Sequence, residues 1–359
     1  MPSIDRPEKA DERRRSHSNF FEREAEAWES LRRAQRAIGA RSRPSDALEA
    51  RIQVVETLRS ARGARFGATA YNGVPEVREQ LDGGAAPGDP DAIPGGAEAV
   101  AVLANRLAEA ATYWIAPDMV DLLEAAAATM PSQPVLASDL PSPLGFAWLP
   151  FTAGDAFGYG SLRAMAWDTE GGGSDQVRVT TFLDLEDWVR QTREDATSPA
   201  VRTRGFPLFP DRWHDWTLGR EWESSFLPDA HLSEGPIKVP PAVFWRRRFC
   251  QAMWALIAEP YVDVVGQRAE RPVLRRAERA RLRAAGDVRV ITLRRQHHAA
   301  EGDTERPVDW SHRWIVSGHW RRQWYPAQEQ HRLRYILPHV KGPDDKPLVV
   351  KDTVFALRR

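Results

Sequence analysis

A single cysteine, Cys250, is present in the 359 residues, so no disulfide can form within the chain. It lies in the apolar stretch 244–257, where a small buried hydrophobe is expected and a reactive thiol is not. Lone cysteine usage fits a reducing compartment. No run of 18 apolar residues occurs, which excludes a membrane-spanning helix of ordinary length. Met1–Arg15 is charged and polar and lacks the apolar stretch of a secretory leader, so the cytoplasm is the expected location. Also missing are a P-loop, a dinucleotide glycine fingerprint and a nucleophile elbow. The Gly-rich stretch Asp82–Gly96 has no Lys-Ser/Thr partner and follows no strand, so it does not read as a phosphate cradle. No cofactor is implied, and no segment carries a strong catalytic motif.

Tryptophan, by contrast, is abundant, with 14 copies. Its large apolar ring and single N–H suit cores, interfaces and stacking surfaces. Net charge is zero, but the zero hides a split. Residues 241–359 hold 24 Lys+Arg against 13 Asp+Glu, a net of +11, which leaves −11 on the first 240. A basic end of this kind suits an acidic partner or nucleic acid, or the two halves attract each other.

Periodicity divides the chain into an N-terminal helical region (1–81), a Gly/Pro linker (82–96), a mixed α/β middle (97–240) and a basic helix plus β-sheet module (241–359). The expected class is α+β: a helical N-terminal half, a mixed middle and a C-terminal antiparallel β-rich module. Phe20, Ala27, Leu31 and Ala34 recur at helical spacing, Pro44 ends that segment, and Ser45 reads as the N-cap of a helix carrying Leu48, Ile52, Val55 and Leu58. Helices are expected at 97–111, 118–129, 242–258 and 272–285. Strands are expected at 146–151, 162–167, 177–183, 288–294, 312–316, 332–337 and 348–357, with 162–167 and 177–183 joined as a hairpin around Gly171–Gly173. Thr197–Pro240 keeps no steady period and holds Trp213, Trp216 and Trp222; it reads as a long loop.

The densest functional stretch is Trp310–Gly342. Alternation on a strand puts Trp310, His312, Trp314 and Val316 on one face and Arg313, Ile315 and Ser317 on the other. Gly318 reads as a bulge or a close-approach glycine. His319, Trp320, Arg321, Arg322, Gln323, Trp324 and Tyr325 then form a loop with the ingredients of a recognition surface: planar guanidinium forks and rigid aromatic stacking area. Arg334, Tyr335, His339 and Lys341 complete the candidate binding set. A self-satisfied aromatic–arginine cluster that merely pins the loop is the competing reading.

Six of nine histidines fall between 297 and 339: His297, His298, His312, His319, His331 and His339. There is no HExxH and no second cysteine, so a metal site is not implied. A hydrolytic site using His312 or His319 with Asp309 lacks a nucleophile pattern. Arg275, Arg279 and Arg283 are spaced to stack on one helix face, where they could contact phosphates or form a solvated surface.

The string VSGHWRRQWYP…HRLRYILPHVKGPDDKPL resembles the C-terminal module of the second type V-A anti-CRISPR family and of related uncharacterised proteins from actinobacteria, their plasmids and phages. Gly318, His319, Trp320, Arg321, Gln323, the segment Ile336-Leu337-Pro338-His339, and Lys341-Gly342-Pro343 carry it. The likeness covers roughly residues 288–357, and a weaker one touches Tyr113–Phe151. It implies a non-enzymatic regulatory binder of mobile-element type, recognising a peptide or a nascent-chain, ribosome-associated complex. The alternative is a DNA- or RNA-binding protein using the Arg-rich helix and the His319–Tyr325 loop. A nuclease-like enzyme built on His312 and His319 is the third and weakest reading.

Overall fold

The computed structural model describes residues 30, 33, 34, 36, 37, 39–60, 96–154, 162–169, 175–184, 208–220, 241–283, 286–294, 312–326, 329–343 and 346–349. The class is α+β. A seven-stranded mixed sheet in the order β5-β4-β3-β2-β1-β7-β6 forms the body. Its strands are β1 (Ala111–Ile115), β2 (Leu144–Ala153), β3 (Leu162–Asp168), β4 (Gln176–Asp184), β5 (Leu208–Thr217), β6 (Val262–Arg268) and β7 (Asp287–Leu293). β1 runs parallel to both β2 and β7, and every other pair is antiparallel. The expected 162–167/177–183 hairpin is the β3–β4 pair.

Thr112, Tyr113, Trp114 and Ile115 are all buried, so both faces of the sheet are covered at β1. Trp114 donates from Nε1 to Ser42 Oγ (3.0 Å), just before helix α1 (Pro44–Leu58). On the other face, Tyr113 leans on Trp167, which meets Trp254 of helix α4 (Pro241–Ile257) edge-on; Trp254 meets Trp216 the same way. Several of the many tryptophans are therefore core. Gly145 is required here, because the Trp167 ring occupies the place of its Cβ.

Helix α2 (Gly96–Glu109) leads straight into β1, and Pro117 opens helix α3 (Pro117–Ala128) at its first turn, where the missing N–H costs nothing. Pro44 plays the same part in α1: it begins that helix and does not end the preceding one. Ser45 is consequently inside the first turn, and its Oγ accepts from Glu270 N (3.1 Å). The capping carboxylate is Asp46, which accepts from Arg43 N (2.8 Å).

Three strands of the seven-stranded sheet escaped the periodicity. β1 is only five residues long. β5 lies inside the stretch read as a loop; it is an edge strand, which tolerates Pro210 beside a register shift at Thr181/Phe182. β6 carries Gly266 and has no clean alternation. Because β6 and β7 complete the sheet begun by β1, the body of the fold runs across the boundary drawn at residue 240. The linker stretch up to Gly95, Trp222, and the strand residues past Val349 lie outside the described residues.

Helix α5 (Arg271–Arg279) is shorter than the expected 272–285. It stops because Arg281 takes a left-handed conformation (φ 55°) while Leu282 N donates back to Ala277 O (2.9 Å) and Leu282 is buried, a Schellman end. Beyond the sheet, the C-terminal chain forms two antiparallel ribbons: β8 (Trp314–Val316) with β11 (His339–Lys341), and β9 (His319–Tyr325) with β10 (Gln330–Ile336). No described helix is long and apolar enough to cross a membrane.

Candidate functional site

The stretch His319–Tyr325, expected as a loop, is a strand. Its alternation carries on without a break into the partner sequence, and Glu329, at positive φ (49°), helps close the turn between β9 and β10. The register places Trp320, Arg322 and Trp324 on one face with Tyr335, Leu333 and His331. His319, Arg321 and Gln323 share the other with Ile336, Arg334 and Arg332.

The inner end of this ribbon is docked. Trp320 donates from Nε1 to Ala126 O of α3 (2.8 Å) and packs edge-on against Tyr335 at 5.1 Å. Tyr335 is 1% exposed, and its hydroxyl sits where a Cβ on Gly318 would be, which makes Gly318 a close-approach glycine. Glu259, buried just past the end of α4, accepts from Tyr335 N through Oε1 (3.2 Å) and from Arg334 Nε and Nη2 through Oε2 (3.2 Å each). Tyr261 OH donates to Tyr335 O (2.7 Å). Burial, reinforced by the Glu259 charge, raises the Tyr261 pKa well above the ordinary phenol value. The hydroxyl therefore stays a donor.

The outer end is open. Trp324 is 47% exposed and leans on His331 with ring centroids 4.9 Å apart. Arg321, Arg322 and Arg332 are exposed, and Arg321 Nη2 donates to Gln323 Oε1 (2.7 Å). Burial raises the pKa of the Asp139 carboxyl, an effect opposed by the Leu136 amide and the charge of Arg332.

Backbone direction separates the two ribbon edges. Glu259 and Tyr261 take the N–H and C=O of Tyr335, so those groups point away from β9 and Tyr335–Trp320 is a non-hydrogen-bonded pair. By alternation, the main-chain groups of Trp320, Arg322 and Trp324 point away from β10. Among the described residues no strand pairs with that side of β9. The β10 edge is therefore occupied by the body at Tyr335, whereas among the described residues the outer edge of β9 has no partner strand.

The sequence-derived candidates thus divide. Arg321, Arg322, Gln323, Trp324 and Tyr325 lie together on β9; Trp320, Arg334 and Tyr335 hold the ribbon to the body; His319 accompanies them, its Nδ1 3.0 Å from Ser317 O. His339 and Lys341 belong to the other ribbon, on β11. The three-arginine ladder does not form as expected, because α5 ends at Arg279 and Arg283 lies beyond it, paired with Glu109 (3.3 Å). Arg275 and Arg279 are exposed on α5, while Arg276 between them meets Glu49 and Glu56 of α1. The basic end and the acidic first 240 residues do meet here, whereas the Arg43–Glu270 pair (3.1 Å) joins them with the signs reversed.

Among the described residues no three His, Cys, Asp or Glu side chains converge to hold an ion. The His312 ring lies tilted against that of Trp314, with centroids 5.9 Å apart; His297, His298 and Asp309 lie outside the described residues. Sequence reasoning missed Glu259 and Tyr261, whose partner Tyr335 is some 75 positions away along the chain, and it missed His331 and Arg332 as parts of the open end. Comparison with protein-family models, with curated proteins and with solved structures finds no match.

Proposed function

We propose that the chain is a non-enzymatic regulatory binding protein that captures an extended peptide along the open edge of β9. The observation that carries this reading is the asymmetry of the ribbon: the body takes the main-chain groups of Tyr335 on the β10 edge, while outward main-chain groups of Arg322 and Trp324 line the other edge, which has no partner strand among the described residues. Strand addition supplies affinity through backbone hydrogen bonds and specificity through alternate side chains. Here those side chains are Arg321, Arg322, Trp324 and Tyr325, which suit a peptide bearing carboxylates and apolar residues. The resemblance to the anti-CRISPR module supports the same class of ligand, a nascent chain at the ribosome included.

Residues 319–341 hold five Lys+Arg and one acidic residue, so a polyanion is the second reading. The end of α5 at Arg279 weakens it, because Arg283 falls off the helix face such a ligand would need and pairs with Glu109, and Arg276 on that helix pairs with Glu49 and Glu56. The test is capture of extended acidic peptides and of single-stranded RNA by the full chain across a salt series. A peptide held by the edge shows a shallow salt slope and is lost in Arg322→Pro, which removes an outward N–H but no β9–β10 bond. Steep salt dependence with RNA preferred, or peptide capture indifferent to Arg322→Pro, overturns the reading.

A further inference from the structure

The second open edge in the molecule belongs to the body. β6 ends the seven-stranded sheet, and among the described residues no strand pairs with its outer side. Edge strands of soluble proteins are usually blunted by charge, proline or a bulge. β6 has none of these in its middle: it pairs with β7 without a register break, and Val264 and Val265 are 41% and 55% exposed.

Main-chain bonds just beyond each end of β6 set the direction of its groups. Arg294 N donates to Tyr261 O (2.7 Å), and Ala269 N donates to Gly286 O (3.4 Å). Both fall in the register of β6 with β7, so odd-numbered residues from 261 to 269 bond inward to β7. Val262, Val264, Gly266 and Arg268 therefore turn their main-chain groups outward, except that Val262 N is already given to Glu259 O (3.0 Å).

We infer that β6 pairs antiparallel with β6 of a second copy of this chain, about a two-fold axis through Val265. Only this register bonds all four outward residues: Val264 with the copy's Gly266 through both main-chain bonds, and Val262 O with the copy's Arg268 N, each pair occurring twice by symmetry. The side chains then match. Val265 faces its own copy in a non-hydrogen-bonded pair, where cross-strand side chains approach most closely. Val264 lies opposite glycine, which leaves it room. Asp263 lies opposite the copy's Gln267; its Oδ1 holds Arg294 (2.7 Å), leaving Oδ2 to accept the amide. The patch is self-complementary, as a two-fold interface requires. This interface is independent of the peptide site on β9.

The experiment is light scattering on the full chain at micromolar concentration, with three variants. The expected mass is twice the 40.5 kDa of the chain. Val265→Lys sets like charges against each other on the axis, and Gly266→Pro removes an outward donor while leaving the β7 ladder intact; both are expected to give folded monomers by circular dichroism. A Cβ at Gly266 meets nothing closer than the Asp287 Cβ at 4.0 Å, so that variant has space to fold. Val265→Cys is expected to cross-link to its copy under mild oxidation, with buried Cys250 not interfering. A monomeric native chain, or a dimer that neither cross-links in the Val265→Cys variant nor responds to Val265→Lys and Gly266→Pro, overturns the inference; a monomer that captures added strand peptides on β6 overturns it in favour of a foreign partner.

Discussion

The two ends of the β9–β10 ribbon are built from the same residue types and behave as opposites. At the inner end a tryptophan, a tyrosine and an arginine face a buried carboxylate and a helix carbonyl, and the Trp320 indole, the Arg334 guanidinium and the Tyr335 main chain each have a partner. At the outer end a tryptophan, a histidine and three arginines face water. The difference teaches that an aromatic–arginine mixture does not by itself mark a recognition surface. What decides is whether a buried acceptor lies within reach, and Glu259 supplies one to Arg334 and Tyr335 only.

Removing that acceptor is the most severe way to break the contrast. Glu259→Ala is expected to destabilise the docked ribbon by about 3–5 kcal/mol, since it leaves the Tyr335 N–H and the Arg334 guanidinium without their buried partner. Amide exchange across residues 330–336 and urea unfolding measure it, and an unchanged exchange pattern counts against the docking role. Trp320→Ala follows at about 3 kcal/mol, through lost ring contacts and an unmatched Ala126 carbonyl. Trp324→Ala is expected to move stability by about 0.5 kcal/mol or less while weakening peptide capture. Equal destabilisation by the two truncations erases the distinction between the ends.

Smaller changes sharpen the comparison. Gly318→Ala forces a methyl into the Tyr335 hydroxyl and should cost about 1–3 kcal/mol. The double substitution Arg321→Ala with Arg322→Ala should change stability by about 0–1 kcal/mol yet abolish capture, as isothermal titration would show. The smallest expected effect is at Cys250, which lies 3.1 Å from Met165 Sδ and whose thiol burial pushes up to about 12. A folded-state pKa raised this far keeps the neutral thiol across the physiological range, so an alkylating reagent should label it only after denaturant is added. Rapid labelling of the native chain would contradict the packing of α4 against β3.

Much of the fold was legible wherever one physical rule dominated. Prolines 117 and 260, the apolar spacing of 118–129 and 242–258, and the alternation in 146–151, 162–167, 177–183 and 288–294 all appear as helices and strands near the expected places. Rules in competition hid the rest. Ala111–Ile115 is too short to show a period, Pro210 masks an edge strand, and the helix pattern of 272–285 is cut by a left-handed Arg281. At the candidate site, reading 319–325 as a loop overlooked an alternation that continues through it.

By itself the sequence determined the local elements, the burial of Cys250 on an apolar helix face, and the concentration of arginine and tryptophan near the C-terminus, because these depend on residues close along the chain. Tertiary structure alone decided that β6 and β7 join the sheet of β1, that Glu259 claims Arg334 and Tyr335, and that among the described residues one edge of β9 has no partner strand. Each of those depends on a hydrogen-bond partner brought from far along the chain, and which donor meets which acceptor is settled only when the sheet and its covering helices are assembled.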